Sequence, residues 1–269
     1  MSLNWLNVPT ALPSILSPSS LNSQNFFGLP IVDSRVHPVW ELKDAPEFLQ
    51  PDYCIVTQTM EIDAQHIWKT QQDLDKVWIC KTLCLLPPGC WMAGGSMVSM
   101  FAGIKHTGDI DLFFDGPDSF EAMAKIVETN DIFKDYKKKV SNNMSRTWTY
   151  EYVGDAKLFY KPNIQLVKLV WFESMKHVIG SFDFTICQIA SDGTKIEYGE
   201  STMEDIANRE IVLNKVHCPP ITLSRLMKYA GRGFSASPTT LNSFLGDTVE
   251  IAKTDPDMMH PSLLFYDEA

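Results

Sequence analysis

No stretch of this 269-residue chain is apolar for long enough to cross a membrane. The longest candidate, 90–104, is short and broken by glycines, so no membrane partner is expected. The N-terminus carries no charged-then-apolar leader, which makes the cytoplasm the expected compartment. Basic residues are in the minority: 23 Lys and Arg against 33 Asp and Glu leave a formal net charge of −10. That excludes a protein that coats nucleic acid by charge alone, because phosphate contacts dominate such binding. It leaves room for a local basic groove or a metal-bridged nucleotide. Six cysteines include no C-x-x-C pair and no paired histidines at zinc spacing. Cys80 and Cys84 lie four apart on one face of a predicted helix; reduced thiols are expected. Internal repeats and coiled-coil heptads are absent as well. What the chain does have is 45% hydrophobic and 21% charged residues, the make-up of a globular protein with a real core.

The informative stretch is 90–114, CWMAGGSMVSMFAGIKHTGDIDLFF. It predicts a short buried strand, a Gly94-Gly95-Ser96 turn, a turn or two of apolar helix, and a second strand carrying Asp109 and Asp111. Residues two apart on a strand share a face, so the two acids project together while Ile110 and Leu112 point the other way. From Asp-x-Asp alone, two readings stand. The acids are solvated at a sheet edge, or they share a divalent cation that relieves their repulsion. The glycine turn adds weight to the second. Glycine permits positive φ and close backbone approach, and a helix opening behind it offers N–H groups to an anion. An anion seat beside an acid pair is equipment for phosphoryl or nucleotidyl transfer.

Gly-Gly-Ser, a short helix and Asp-x-Asp on an apolar strand resemble the signature of the DNA polymerase β-like nucleotidyltransferase superfamily. The whole-chain pattern also looks like nucleotidyltransferase-like proteins of large bacteriophages and other viruses. The resemblance implies an α+β fold: a palm-like mixed sheet packed by helices. It also implies a third carboxylate on a later strand, for which Asp183 in 179–190 is the candidate, and in-line attack of an acceptor hydroxyl on the α-phosphate of an NTP. Asp109, Asp111 and Asp183 would then hold two Mg²⁺ (or Mn²⁺) ions about 3.5–4 Å apart. Gly94, Gly95 and Ser96 would seat the terminal phosphates. The run 225–234, RLMKYAGRGF, resembles the helix following the catalytic domain of bacterial tRNA nucleotidyltransferases and poly(A) polymerases. Those proteins carry an Arg-Asp pair after the glycine turn where this chain has Met97-Val98-Ser99, which argues against template-independent CCA addition.

Around that core the expected organisation is an N-terminal arm and accessory segment (1–60), a catalytic core (61–200) and a C-terminal helical region (201–269). Residues 1–30 read as an extended arm, 31–36 and 53–59 as short strands, and 61–85 as a helix stopped by Pro87-Pro88-Gly89. Asp118 with Glu121 predicts a capping box. Lys137, Lys138 and Lys139 read as a solvated helix end or a nucleic-acid contact. Strands are expected at 148–153, 156–160 and 164–171, the last of them central. Ser201 with Glu204 predicts another helix start, and Pro219-Pro220 a third. Arg225, Lys228 and Arg232 share a face; they either pair with acids elsewhere or, as nucleotide-binding groups, meet triphosphate oxygens. The chain from 235 onward is expected to be a loose tail or one short helix. His106 reads as an exposed loop residue. Lys168 reads as a solvent-facing or phosphate-neutralising strand residue, and Trp148 as core.

The function expected is metal-dependent transfer of an NMP from an NTP to a hydroxyl of RNA, tRNA, protein or a small molecule. If the chain is viral, this happens in the host cytoplasm. The alternatives are a toxin or defence effector using the same chemistry, and a catalytically silent nucleotidyltransferase-like binding module.

Overall fold

The computed structural model describes residues 40–41, 56–65, 74–142, 144–150 and 161–259. Chain contacts separate Met1–Val36 from a second unit, His37–Ala269. The expected arm at 1–30, the strands at 31–36 and 156–160 and positions 66–73 of the 61–85 helix lie outside the described residues; Glu61, expected to open that helix, belongs instead to a strand and pairs with Lys195. Within the second unit the elements follow in order. They are β1 (Trp40–Glu41), β2 (Thr57–Glu61), α1 (Leu74–Leu83), β3 (Cys90–Ala93), α2 (Gly95–Phe101), β4 (Ile110–Phe114), α3 (Pro117–Thr129), β5 (Tyr136–Ser141) and β6 (Ser145–Tyr150). Then come β7 (Ile164–Val167), β8 (Val170–Trp171), α4 (Met175–Gly180), β9 (Ile189–Ser191), β10 (Lys195–Gly199) and α5 (Thr202–Asn208). The last are β11 (Glu210–Ile211), α6 (Pro219–Ala230), β12 (Ser235–Ala236) and α7 (Pro238–Thr254).

Eight strands form one mixed sheet in the order β2-β10-β9-β3-β4-β7-β6-β5. The β4–β7 pair is parallel and the others are antiparallel. The fold is therefore α+β, as expected. Strand β4 sits at its centre because its even-numbered residues are apolar: Ile110, Leu112 and Phe114 are fully buried. They meet Phe120, Met123, Ala124 and Val127 of α3 and Met97 and Val98 of α2 in the main core. The opposite face holds a smaller cluster, in which Trp91, Ala93, Val170, Phe172, Met175, Val178 and Ile179 are buried and Phe113 packs against them. Phe113 meets Phe172 and Phe182 edge-on, with ring centroids 5.9 Å apart in both pairs.

Several local expectations are corrected. The 164–171 strand is two, because β7 stops at Val167 and Val170–Trp171 pairs instead with Trp40–Glu41. Asp118 is no N-cap; α3 starts at Pro117 after Gly116, and Asp118 lies in its first turn. The lysine run is not a helix end but part of β5, where Lys138 pairs with Glu128 at 2.8 Å. His106 is 1% exposed and bonded to Ser99 (3.2 Å) rather than lying on the surface. The tail after 235 holds the 17-residue helix α7, whose first turn is capped by Ser237 accepting from the Thr240 N–H at 3.1 Å. Burial raises the Cys80 pKa to about 11 and that of Cys84 above its usual value, so both stay protonated thiols. Trp148 is a core residue, 2% exposed.

The turn joining β9 to β10 seals this sheet against the end of α1. Asp192 accepts from the N–H groups of Thr194 and Lys195, both at 2.9 Å. Gly193 has φ +88°, and a Cβ there would stand 2.4 Å from the Leu83 carbonyl oxygen. Gly193→Ala should therefore cost about 2 kcal/mol or more, from left-handed strain plus displacement of the Leu83 carbonyl. A urea unfolding titration with an unchanged m-value would show it as a lower midpoint.

Candidate functional site

The site is built on the ends of three elements around β4. The β3 strand ends at Ala93, and Gly94 (φ 70°, ψ −134°) turns the chain into α2. That conformation is open to glycine and strained for other residues. Its N–H donates to the Ile189 carbonyl at 3.2 Å, which ties the turn to β9. A Cβ on Gly94 would stand 3.2 Å from the Phe182 ring, and one on Gly95 would stand 3.6 Å from the Tyr229 hydroxyl. Ser96 is fully buried beneath the turn, its hydroxyl 3.5 Å from the Ala93 carbonyl.

Burial along β4 alternates, so Asp109, Asp111 and Phe113 are half-buried on one face while their neighbours are sealed on the other. Asp109 lies just ahead of the strand, where Asn163 donates to its Oδ1 at 3.0 Å. Asn163 is placed for this by the parallel β4–β7 pairing, since its carbonyl also accepts from the Ile110 N–H at 2.9 Å. One asparagine thus holds both the strand start and the carboxylate.

Helix α6 brings cations to the same place. A Cβ on Gly108, the residue before Asp109, would stand 3.7 Å from Arg232 Nη2 and 4.0 Å from Lys228 Nζ. Arg232 donates to Thr107 Oγ1 at 2.9 Å. Lys228 in the last turn of α6 and Arg232, two residues past its end, therefore face the loop that leads into the acid pair; the expected shared helix face stops short of Arg232. Arg225, on the same face, is engaged differently: its Nη1 lies 3.2 Å from both oxygens of Asp183.

Asp183 departs from expectation. The 179–190 segment is not a continuous strand; α4 ends at Gly180, Thr185–Cys187 form a turn of 3₁₀ helix, and β9 begins only at Ile189. The 2%-exposed Asp183 accepts from the Thr222 hydroxyl at 2.9 Å and pairs with Arg225, with His217 Nε2 3.8 Å away. Among the described residues, no group of three His, Cys, Asp or Glu side chains is placed to hold a metal ion. Asp183, expected as the third metal-binding carboxylate, is engaged by a guanidinium and a hydroxyl, the partners a buried carboxylate needs. Thr222, His217 and Asn163 were not singled out by sequence reasoning. The spacing Thr222–Arg225, one helical turn, was the available signal for the first.

Behind these groups, Tyr229 and Cys187 are buried against each other, with Cys187 Sγ donating to the Tyr229 hydroxyl at 3.1 Å. Burial pushes the Cys187 thiol up to about 12 and the Tyr229 phenol well above its usual value, so both remain neutral.

The arrangement is that of a nucleotidyltransferase fold, and comparison with solved structures agrees. A CCA-adding enzyme solved with ATP matches 71% of this chain and 45% of its own at 16% identity, with a TM-score of 0.50. The Thermotoga maritima CCA-adding enzyme solved with tRNA matches 71% of this chain and 46% of its own at 16% identity (TM-score 0.47). A CCA-adding enzyme solved with CTP matches 74% and 48% at 15% identity (TM-score 0.48). The chain thus spans about half the length of these enzymes, and the first of them, at 16% identity, shows the fold alone. The family profile described as Gabija anti-defense 2 family protein matches residues 61–209, more than half of the sequence, and the chain belongs to that family. A comparison with curated proteins finds no match. No helix among the described residues is long and apolar enough to cross a membrane.

His217 gives this region a pH signature. Burial lowers its pKa; Lys215 and Arg225 act in the same direction, and Asp183 and the Ser181 carbonyl oppose them. A base with a depressed folded pKa binds fewer protons folded than unfolded. Its contribution is present above the unfolded value of about 6.5 and is lost as pH falls through the folded one. Unfolding free energy should therefore decline from pH 7 toward pH 5. Urea titrations across that range should show a shallower decline in His217→Gln, with the remainder carried by His177, which burial lowers likewise.

Proposed function

We propose that this protein is a metal-dependent nucleotidyltransferase that moves an NMP from an NTP to an acceptor hydroxyl and releases pyrophosphate, acting in the cytoplasm of a host cell against a defence system. The observation that carries the reading is the convergence of three features. An acid pair stands on the central strand, a strained glycine turn lies one short helix upstream of it in the chain, and two cations face the residue before the first acid. The family name supports the anti-defence purpose, and the ATP solved with the CCA-adding enzyme of similar fold supports an NTP.

The donor set fits a hard divalent cation. Asp109 and Asp111 are half-buried carboxylates on one strand face, and Mg²⁺ takes one or two carboxylates with phosphate and water oxygens completing its octahedron. Mg²⁺ or Mn²⁺ held there would supply Lewis-acid polarisation of the α-phosphate and lower the pKa of the acceptor hydroxyl. The chain's own residues do the rest. Asn163 holds the Asp109 carboxylate through Oδ1, which leaves Oδ2 for the cation. Gly94 and Gly95, lacking side chains, let phosphates approach the backbone N–H groups that open α2. Lys228 and Arg232 offset the charge of the triphosphate. In the chemical step the acceptor oxygen forms the new P–O bond as the bond to pyrophosphate breaks, and the hydroxyl proton passes to a site carboxylate or water.

A silent binding module is the second reading, and the occupied Asp183 favours it, because only two carboxylates remain for metal. Incubation with each α-labelled NTP, Mg²⁺ or Mn²⁺ and total tRNA or host lysate separates the two. Asp109→Asn and Asp111→Asn should each reduce label transfer by about 100-fold or more. Their melting temperatures should hold or rise, since each removes like-charge repulsion. Absence of transfer by the wild-type protein to any acceptor would assign the binding role instead.

A further inference from the structure

We propose that Asp183 is a positioning residue which, through Arg225 and Thr222, clamps helix α6 so that Lys228 and Arg232 stand over the loop before Asp109, and that it is not a metal ligand. This rests on the nucleotide-binding reading for its consequence, while the clamp itself is a property of the fold.

Both oxygens of Asp183 are engaged. Oδ2 receives the Thr222 hydroxyl at 2.9 Å, and Arg225 Nη1 stands 3.2 Å from each oxygen. At 2% exposure this carboxylate is costly to leave unpaired, so releasing Arg225 to bind a metal would abandon a charge-assisted contact in a buried setting. The backbone reinforces the same junction. The Asp183 carbonyl accepts from the N–H groups of Asn214 (2.7 Å) and Lys215 (3.2 Å), and the Asn214 side chain donates to the Phe182 carbonyl at 2.8 Å. Phe182 in turn lies against Gly94 and Phe113, next to the candidate anion seat.

Thr222, Arg225 and Tyr229 recur at three- and four-residue steps, so they occupy the inward stripe of α6. Lys228 lies three residues beyond Arg225, about 4.5 Å along the helix axis. A loosening of the helix at Arg225 is thereby passed directly to the cations at Gly108. Because Asp183 consumes Arg225, the phosphate-facing charge of the helix is left to Lys228 and Arg232. This reassigns Arg225 from phosphate contact to anchoring.

The test uses the full chain without acceptor. Asp183→Asn, Arg225→Lys and the double variant are compared with wild type and Asp109→Asn. Three measurements are made on each: amide exchange over 219–232 in nucleotide-free protein, equilibrium dialysis of Mg·ATP, and Mn²⁺ binding followed by electron paramagnetic resonance. Folding is checked by circular dichroism. Asp183→Asn should accelerate exchange in α6 and weaken Mg·ATP by about tenfold, the scale of a lost charged hydrogen bond. Mn²⁺ affinity should match wild type, unlike Asp109→Asn. Arg225→Lys, which keeps charge but lacks the planar fork, should fall between, and the double variant should be no weaker than Asp183→Asn alone. Exchange over 219–232 unchanged in Asp183→Asn, or Mn²⁺ affinity reduced as in Asp109→Asn, overturns the proposal. A wild-type protein that binds none of the four NTPs refutes the nucleotide reading, and the exchange measurement then decides the clamp independently.

Discussion

Everything in this molecule depends on the register of one strand. β4 must bury Ile110, Leu112 and Phe114 against α2 and α3 while presenting Asp109 and Asp111 on the opposite face. Its neighbours fix that alternation from both sides: Met92 of β3 opposes Leu112, and Ile164 and Leu166 of β7 oppose Ile110 and Leu112. A one-residue slip would drive both carboxylates into the main core and expose three large apolar side chains. At roughly 1.5–3 kcal/mol for each large apolar residue moved to water, before counting buried charge, the alternative register is out of reach. The acids stay on the surface of the sheet because the core leaves them nowhere else to go.

The second constraint is the junction between the 180s segment and α6. It is made from a buried carboxylate, a guanidinium, a hydroxyl and backbone amides, a set that demands correct geometry from every member. An apolar contact would tolerate sliding; this one does not. The Cys187–Tyr229 pair extends the same junction inward, with Tyr229 meeting Phe184 and Phe234 edge-on. Strands β11 and β12 pair across it, so the residues before and after α6 are also joined. The helix is consequently fixed at its start, its middle and its exit, and the cations it carries inherit that precision.

The sequence made the first constraint legible and hid the second. Alternation at 109–114 and the Gly-Gly-Ser turn are local, so strand, turn, short helix and acid pair could all be read from adjacent residues. Asp183 looked like a strand acid because Phe182, Phe184, Ile186 and Ile189 are apolar in near-alternation. In the structure that pattern belongs to a bridge, a 3₁₀ turn and the start of β9, each buried for its own reason. Its partner Arg225 lies 42 residues away, a separation at which no local period carries information. Helix α7, with 17 residues, exceeds the expected loose tail or one short helix, because Pro238, Thr239, Thr240, Asn242 and Ser243 read as loop residues. Proline is tolerated in a first helical turn, and the Ser237 cap supplies the start signal that composition obscured.

Charge around the site follows from the same two constraints. The chain is acidic overall, yet Lys228 and Arg232 stand close to Gly108, just ahead of Asp109 and the strand that carries Asp111. Positive charge there lowers the cost of holding two carboxylates on one face. In the proposed function, a triphosphate with a divalent ion would bring positive charge to the acids and negative charge to the cations. On that proposal the cations and the carboxylates would exchange their partners as the site fills. Such an exchange needs no large movement, only that α6 and β4 stay at a fixed separation. Holding that separation is the service proposed for the Asp183 junction, where the carboxylate engages Arg225 instead of adding one more negative charge beside the pair.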